Sequence, residues 1–197
     1  MKKAIVYIHG KGGNAEEADH YRPLFPDCDV IGFSYKSQTP WEAREEFAAY
    51  LEELRRQYDA VSLIAVSIGA YFAMSAAMGG MIENAYLISP IVDMEQLICD
   101  MMRWANVTES ELREKGEIET PFGETLSWEY LSYVRAHPIA WRVPTHILYA
   151  ENDHLTSRQT ITAFSEKIGA SLHIMAGGEH WFHTKEQMAY LDAWISE

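Results

Sequence analysis

The stretch "LIAVSIGAYFAM", residues 63–74, decides how this chain is read. An apolar run stops at Ser67, small residues stand at Ala65, Gly69 and Ala70, and a helix-like pattern follows. A serine at the corner between a strand and a helix must turn sharply, in a strained conformation, to expose its hydroxyl. Strand and helix then crowd each other, so the positions two before and two after must be small. Ala65 and Gly69 meet that demand in the pattern A-x-S-x-G. The helix start adds free backbone N–H groups and partial positive charge, which can stabilise an oxyanion. The N–H of Ile68 is the first candidate donor. On the pentapeptide alone the same serine reads as an ordinary helix cap, but the strand-turn-helix setting favours a nucleophile.

Working outward, short β-rich runs alternate with helical patterns. The strands expected are residues 4–8, 29–35, 61–66, 85–89, 145–150 and 171–175. Most are continuous apolar runs, as in strands buried on both faces. Helices are expected over 14–22, 41–57, 68–78 (stopping at Gly79-Gly80), 157–168 and 184–196. This alternation predicts an α/β fold, a three-layer sandwich around a mainly parallel sheet, in a single domain spanning 1–197. Residues 93–142 break the rhythm. They read as helices around 94–105, 108–116 and 126–136 with a turn at 119–123, more chain than one crossover needs. A helical insertion over the end of the sheet is the expectation.

Composition narrows the class. The 197 residues are 48% hydrophobic, with six Trp, eleven Tyr and seven Phe, enough for a sizeable core. A net charge of −13 repels phosphate backbones and argues against nucleic acid and anionic membrane surfaces. The two cysteines, Cys28 and Cys99, lie far apart in unlike settings, which fits a reducing compartment rather than a disulfide framework. The opening "MKKAIVYIHG" is too short in its apolar part for a signal peptide and reads as the first strand. No run approaches a membrane span. A soluble cytoplasmic protein, monomer or homodimer, is expected.

The loop "IHGKGGN" (8–14) follows the first strand directly. Its glycines allow close approach to a ligand, yet it has the spacing of neither phosphate-binding glycine motif. Donation of a second backbone N–H to an oxyanion fits better, from Lys11 first and Gly12 second, with His9 shaping the loop. If strands one and three are neighbours, this loop meets Ser67 where the sheet order reverses. A serine needs a base. His180, in "MAGGEHWFH", follows the last strand on a Gly-Gly loop just before the final helix. His183 lies three residues on, and the pair without a Cys or carboxylate cluster is no metal site. The acid that orients the base is Asp153, in "LYAENDHLTS", on the loop after the fifth strand, with Asp93 as fallback. An Asx turn is the alternative role for Asp153.

The blocks "HGKGG", "AVSIGA", "YAENDHLT" and "GGEHWF", with the chain order Ser67, Asp153, His180, resemble the α/β-hydrolase superfamily. The last two are similar to those of compact bacterial carboxylesterases. The resemblance spans nearly the whole chain. It implies a serine hydrolase forming an acyl-enzyme on Ser67, with His180 as base and acid, Asp153 orienting it, and the Lys11 and Ile68 N–H groups as oxyanion hole. It implies no cofactor. Ala65 stands where glycine is commoner. The chain begins at what is usually the family's third strand, so six strands in the order 2-1-3-4-5-6 are expected, without the usual first two. The resemblance also makes 93–142 a small helical cap that shapes the substrate pocket. Met101, Met102, Trp104, Trp128 and Leu131 are its candidate pocket residues, suited to an apolar acyl or aryl group, although such residues also serve as packing. The expected activity is hydrolysis of a small carboxylic ester. A thioesterase or peptidase would use the same residues, and a non-catalytic binding protein would retain them without turnover.

Overall fold

Successive residues of β1 (Lys3–Ile8) point to opposite faces of a sheet, yet Ala4, Ile5, Val6, Tyr7 and Ile8 are all buried. Elements must therefore cover both faces. The same pattern marks β3 (Ala60–Val66) and β7 (Thr145–Ala150). In the computed structural model, which describes residues 1–76 and 80–196, these strands join β2 (Asp29–Gly32), β4 (Asn84–Ile88) and β8 (Ser171–Met175). The order is β2-β1-β3-β4-β7-β8, with every neighbouring pair parallel. Counted over the strands of this sheet, it is the order expected from the sequence.

The chain divides into two compact units, Met1–Val92 with Ile139–Glu197, and Asp93–Pro138. In the first, one face of the sheet packs Ile5, Tyr7, Ile64, Ile88 and Leu148 with Leu191, Trp194 and Ile195 of α7 (Lys185–Ile195). Ala18, from a short 3-10 helix at Ala15–His20, belongs to the same cluster. Helices α1 (Pro40–Arg55) and α2 (Ser67–Ser75) pack on each other and on the sheet. Helix α6 (Arg158–Ile168) packs on β8 and ends at Gly169, whose φ of 70° suits a glycine. Thr39 starts α1 with a reciprocal capping box through Glu42, contributing about 1 kcal/mol.

The insertion forms the second unit. It holds α3 (Met94–Trp104), α4 (Glu109–Lys115), a hairpin of β5 (Glu117–Glu119) and β6 (Thr125–Ser127), and α5 (Trp128–Ala136). Arg135 of α5 donates to Glu95 at 2.7 Å and to both oxygens of Glu109 at 2.7 and 2.9 Å, tying α5 to α3 and α4.

Three expectations are corrected. Residues 14–22 are not an α-helix: two 3-10 helices, Ala15–His20 and Arg22–Leu24, take their place, with Pro23 inside the second. The second strand ends at Gly32 rather than residue 35; position 32 has room only for glycine, since a β-carbon there would stand 1.8 Å from the Ala15 carbonyl oxygen. The incoming 3-10 segment thus sits against the strand's last residue, and the Phe33 N–H makes one more bond to β1, donating to the Tyr7 carbonyl at 2.9 Å, just past the end of the strand. The hairpin in the insertion was not expected: "EIE" and "TLS" are too short to show alternation. The expected end of the third helix near residues 78–79 lies outside the described residues.

Candidate active site

Sheet order reverses at β1, which has β2 on one side and β3 on the other. Loops leaving the carboxyl ends of β1 and β3 therefore lie side by side. Ile8 is in register with Ala65, so His9–Asn14 and Ser67 leave the sheet together.

Ser67 is the first residue of α2, and the helix cap is Val66, which makes no side-chain capping bond. Ser67 itself has φ of 51°, a left-handed conformation that costs a non-glycine residue roughly 1–2 kcal/mol. One hydrogen bond and a close neighbour mark its position. Its carbonyl accepts the Ile91 N–H at 3.2 Å. Gly10 lies so close that a β-carbon on it would stand 3.3 Å from the Ser67 β-carbon.

The serine hydroxyl lies 2.9 Å from His180 Nε2, and His180 Nδ1 lies 2.7 Å from Asp153 Oδ2. A carboxylate facing Nδ1 fixes the tautomer: Nδ1–H donates to Asp153, leaving Nε2 to accept the Ser67 proton. The His180 side chain is 13% exposed and that of Asp153 is 0% exposed. Burying a carboxylate that completely is tolerable only if it is well bonded. Asp153 Oδ1 accepts the N–H groups of Leu155 (2.8 Å) and Thr156 (3.1 Å), so Asp153 forms the Asx turn and holds the imidazole at once. Thr156 in turn donates its hydroxyl to the Pro90 carbonyl at 3.2 Å and accepts the Tyr149 hydroxyl at its own carbonyl at 2.8 Å. Sequence reasoning did not single out Thr156 or Tyr149; nothing in spacing or composition marks them.

The glycine loop is a tight turn. Gly13 N–H donates to the Gly10 carbonyl at 3.1 Å, with Lys11 and Gly12 between them and Gly12 at φ of 77°. Lys11 N–H belongs to this turn. Ile68 N–H lies in the first turn of α2, where backbone donors have no intrahelical acceptor.

Other candidates take structural positions. Asp93 caps α3 by accepting the Gln96 N–H at 2.9 Å. His183 stacks on Trp181 with ring centroids 4.6 Å apart. The His154 ring lies 6.1 Å from that of His180. Within the insertion, Met102 and Leu131 are buried, Met101 and Trp128 partly so, and Trp104 is 52% exposed against Phe122. Arg113 lies over the Trp128 ring, 5.7 Å from its centre. Among the described residues, no group of three or more His, Cys, Asp or Glu could hold a metal ion, and no helix is long and apolar enough to cross a membrane.

The fold is that of the α/β hydrolases. The mouse protein "alpha/beta hydrolase domain-containing protein 10" superposes with a TM-score of 0.78 at 16% identity, covering 98% of this chain and 87% of that one. Est1E from Butyrivibrio proteoclasticus gives 0.74 at 16% identity over 99% and 85%. The monoacylglycerol lipase of Paleococcus ferrophilus gives 0.68 at 16% over 98% and 92%. In sequence, "Putative esterase/lipase 3" of Mycoplasma genitalium is 26% identical over 129 residues, which is 59% of this chain and 45% of that protein. The chain thus matches less than half the length of that relative. No family model matches the chain.

Proposed function

We propose that this protein is a serine hydrolase that cleaves small, largely apolar carboxylic esters through an acyl-enzyme on Ser67. One observation carries the reading: the unbroken chain from Ser67 Oγ to His180 Nε2 (2.9 Å) and from His180 Nδ1 to Asp153 Oδ2 (2.7 Å). A relative named as an esterase/lipase supports it.

In this reading Ser67 Oγ attacks the ester carbonyl carbon while its proton passes to His180 Nε2. The carbonyl π electrons move onto oxygen, and the N–H groups of Ile68 and Lys11 bind the resulting oxyanion. Collapse breaks the bond to the alkoxide, which leaves with the proton from His180. Water then attacks the acyl carbon, giving its proton to Nε2. The second collapse expels Ser67, reprotonates it and frees the acid. Asp153 keeps the imidazole in the productive tautomer and stabilises its cationic form. The scheme needs no cofactor, and the cytoplasm is the compartment that two unpaired cysteines fit.

The test is hydrolysis of p-nitrophenyl esters of increasing chain length, beside a thioester and an anilide of the same acyl group. The reading predicts turnover of short esters that Ser67→Ala abolishes, with esters faster than the anilide. Turnover that survives Ser67→Ala would overturn it.

A further inference from the structure

The loop carrying Lys11 is held in place from outside, by a residue that the hydrolysis scheme does not use. Tyr35, just beyond β2, donates its hydroxyl to the His9 carbonyl at 2.9 Å. Its ring also stacks on the His9 imidazole, centroids 4.4 Å apart and planes 15° apart. His9 Nδ1–H donates in turn to the Gly10 carbonyl at 2.9 Å, so the ring that Tyr35 braces is itself bonded to the start of the turn.

Tyr35 is fixed from its own side. Glu46 of α1 accepts the N–H of Lys36 (2.9 Å) and of Ser37 (2.9 Å), as well as the Ser37 hydroxyl. The Tyr35 ring also lies among Phe33, Phe47 and Phe72, centroids 5.9, 5.2 and 6.0 Å away. Burial first, then the Glu46 and Glu17 carboxylates, push its phenol up to about 12. The hydroxyl therefore keeps its proton, and stays a donor, at any pH at which a hydrolase works.

The His9–Gly10 peptide is the hinge of the turn. Its carbonyl oxygen lies against Gly69, and its nitrogen leads into Gly10, where even an added β-carbon would come within 3.3 Å of the Ser67 β-carbon. Rotation of this peptide would swing Lys11 N–H relative to the Ser67 hydroxyl.

We propose that Tyr35 is a positioning residue for the oxyanion hole: by holding the His9 carbonyl it fixes the turn 10–13 so that Lys11 N–H meets the oxyanion formed on Ser67. This rests on the reading of Ser67 as nucleophile. Because the oxyanion exists only after attack, a loosened turn weakens transition-state binding and leaves substrate binding alone.

The experiment compares Tyr35→Phe, which keeps the stacked ring and removes one hydroxyl, with the intact protein on a short p-nitrophenyl ester. Tyr58→Phe is the control: that hydroxyl bonds Asp29, away from the site. The expected result is a kcat lower by about 10–100-fold, short of the loss from deleting an oxyanion donor, with KM within about twofold. Affinity for a trifluoromethyl ketone, whose adduct oxygen occupies the hole, falls by the same factor as kcat/KM, while Tyr58→Phe behaves as the intact protein. A kcat unchanged in Tyr35→Phe, or a loss carried by KM with inhibitor affinity intact, overturns the role. Ser67→Ala is assayed alongside. If it is dead while Tyr35→Phe has full kcat, only the Tyr35 role falls. If Ser67→Ala still turns over, the nucleophile falls and Tyr35 with it.

Discussion

The carbonyl oxygen of His9 occupies the space that a side chain at position 69 would need: a β-carbon on Gly69 would stand 2.3 Å from it. The sequence explanation for a small residue there was crowding between the strand and helix that meet at Ser67. The structure places the crowding against the end of the neighbouring strand β1, where Ile8 would stand 3.0 Å away, and against the loop that leaves it. Gly69→Ala must push the His9 peptide aside. The expected cost is about 1–3 kcal/mol of stability and a kcat loss of about tenfold or more through the displaced oxyanion loop. Urea unfolding and ester turnover check both; wild-type values in the variant would show that the loop moves freely.

Asp153 supports two structures with two oxygens, and substitutions separate them. Asp153→Asn can keep its carbonyl oxygen on the Leu155 and Thr156 N–H groups while presenting an amide donor to His180. The imidazole then adopts the wrong tautomer, and kcat is expected to fall by about 10⁴-fold with stability nearly unchanged. Asp153→Ala loses the turn as well, at a further cost of about 1–3 kcal/mol. Equal stability of the two variants would mean that the Asx turn contributes nothing.

The strained φ of 51° at Ser67 predicts a stability difference between two inactive variants. Ser67→Ala keeps the strain, whereas Ser67→Gly relieves it. Ser67→Gly should unfold at higher urea than Ser67→Ala, by up to roughly 1 kcal/mol. The reverse order would argue that the backbone at this corner is unstrained.

Buried phenols predict the alkaline limit. Burial, the leading cause in each case, pushes Tyr7, Tyr21 and Tyr35 up, and Glu17 adds to it for all three. A proton held more tightly in the folded state stabilises the fold fully below the unfolded value of about 10. That gain is lost as pH climbs through the folded values. The urea midpoint should therefore fall above about pH 10, with a shallower fall in Tyr7→Phe. Tyrosinate absorbance from these three residues should appear only as the protein unfolds; their ionisation in the folded protein at pH 10 would contradict this.

How much of this was legible in the sequence follows from what each feature depends on. Largely buried strands announce themselves as apolar runs, so β1, β3, β4 and β7 could be read within a residue of their ends, and the edge strand β8, only partly buried, was read at its ends from the same kind of run. The positions of Ser67, Asp153 and His180 after strands could be read because loops at one end of a parallel sheet converge. "FSY" at 33–35 misled because aromatic residues suit strands, whereas here Phe33 stacks on Tyr50 at 3.9 Å and Tyr35 on His9. The bracing by Tyr35, Glu46 and Thr156 was not legible: Tyr35 acts on the His9 carbonyl, Glu46 on the Lys36 and Ser37 N–H groups and Thr156 on the Pro90 carbonyl, and bonds to backbone groups in other segments leave no spacing pattern.

The central claim is that Ser67 is the group that becomes acylated, and covalent capture tests it most directly. A fluorophosphonate, reacted with the protein and mapped by peptide mass spectrometry, should add one adduct, on the peptide bearing Ser67. Labelling should be lost in Ser67→Ala and strongly slowed in His180→Ala. An adduct on a different residue, or none under conditions that label other serine hydrolases, would contradict the account.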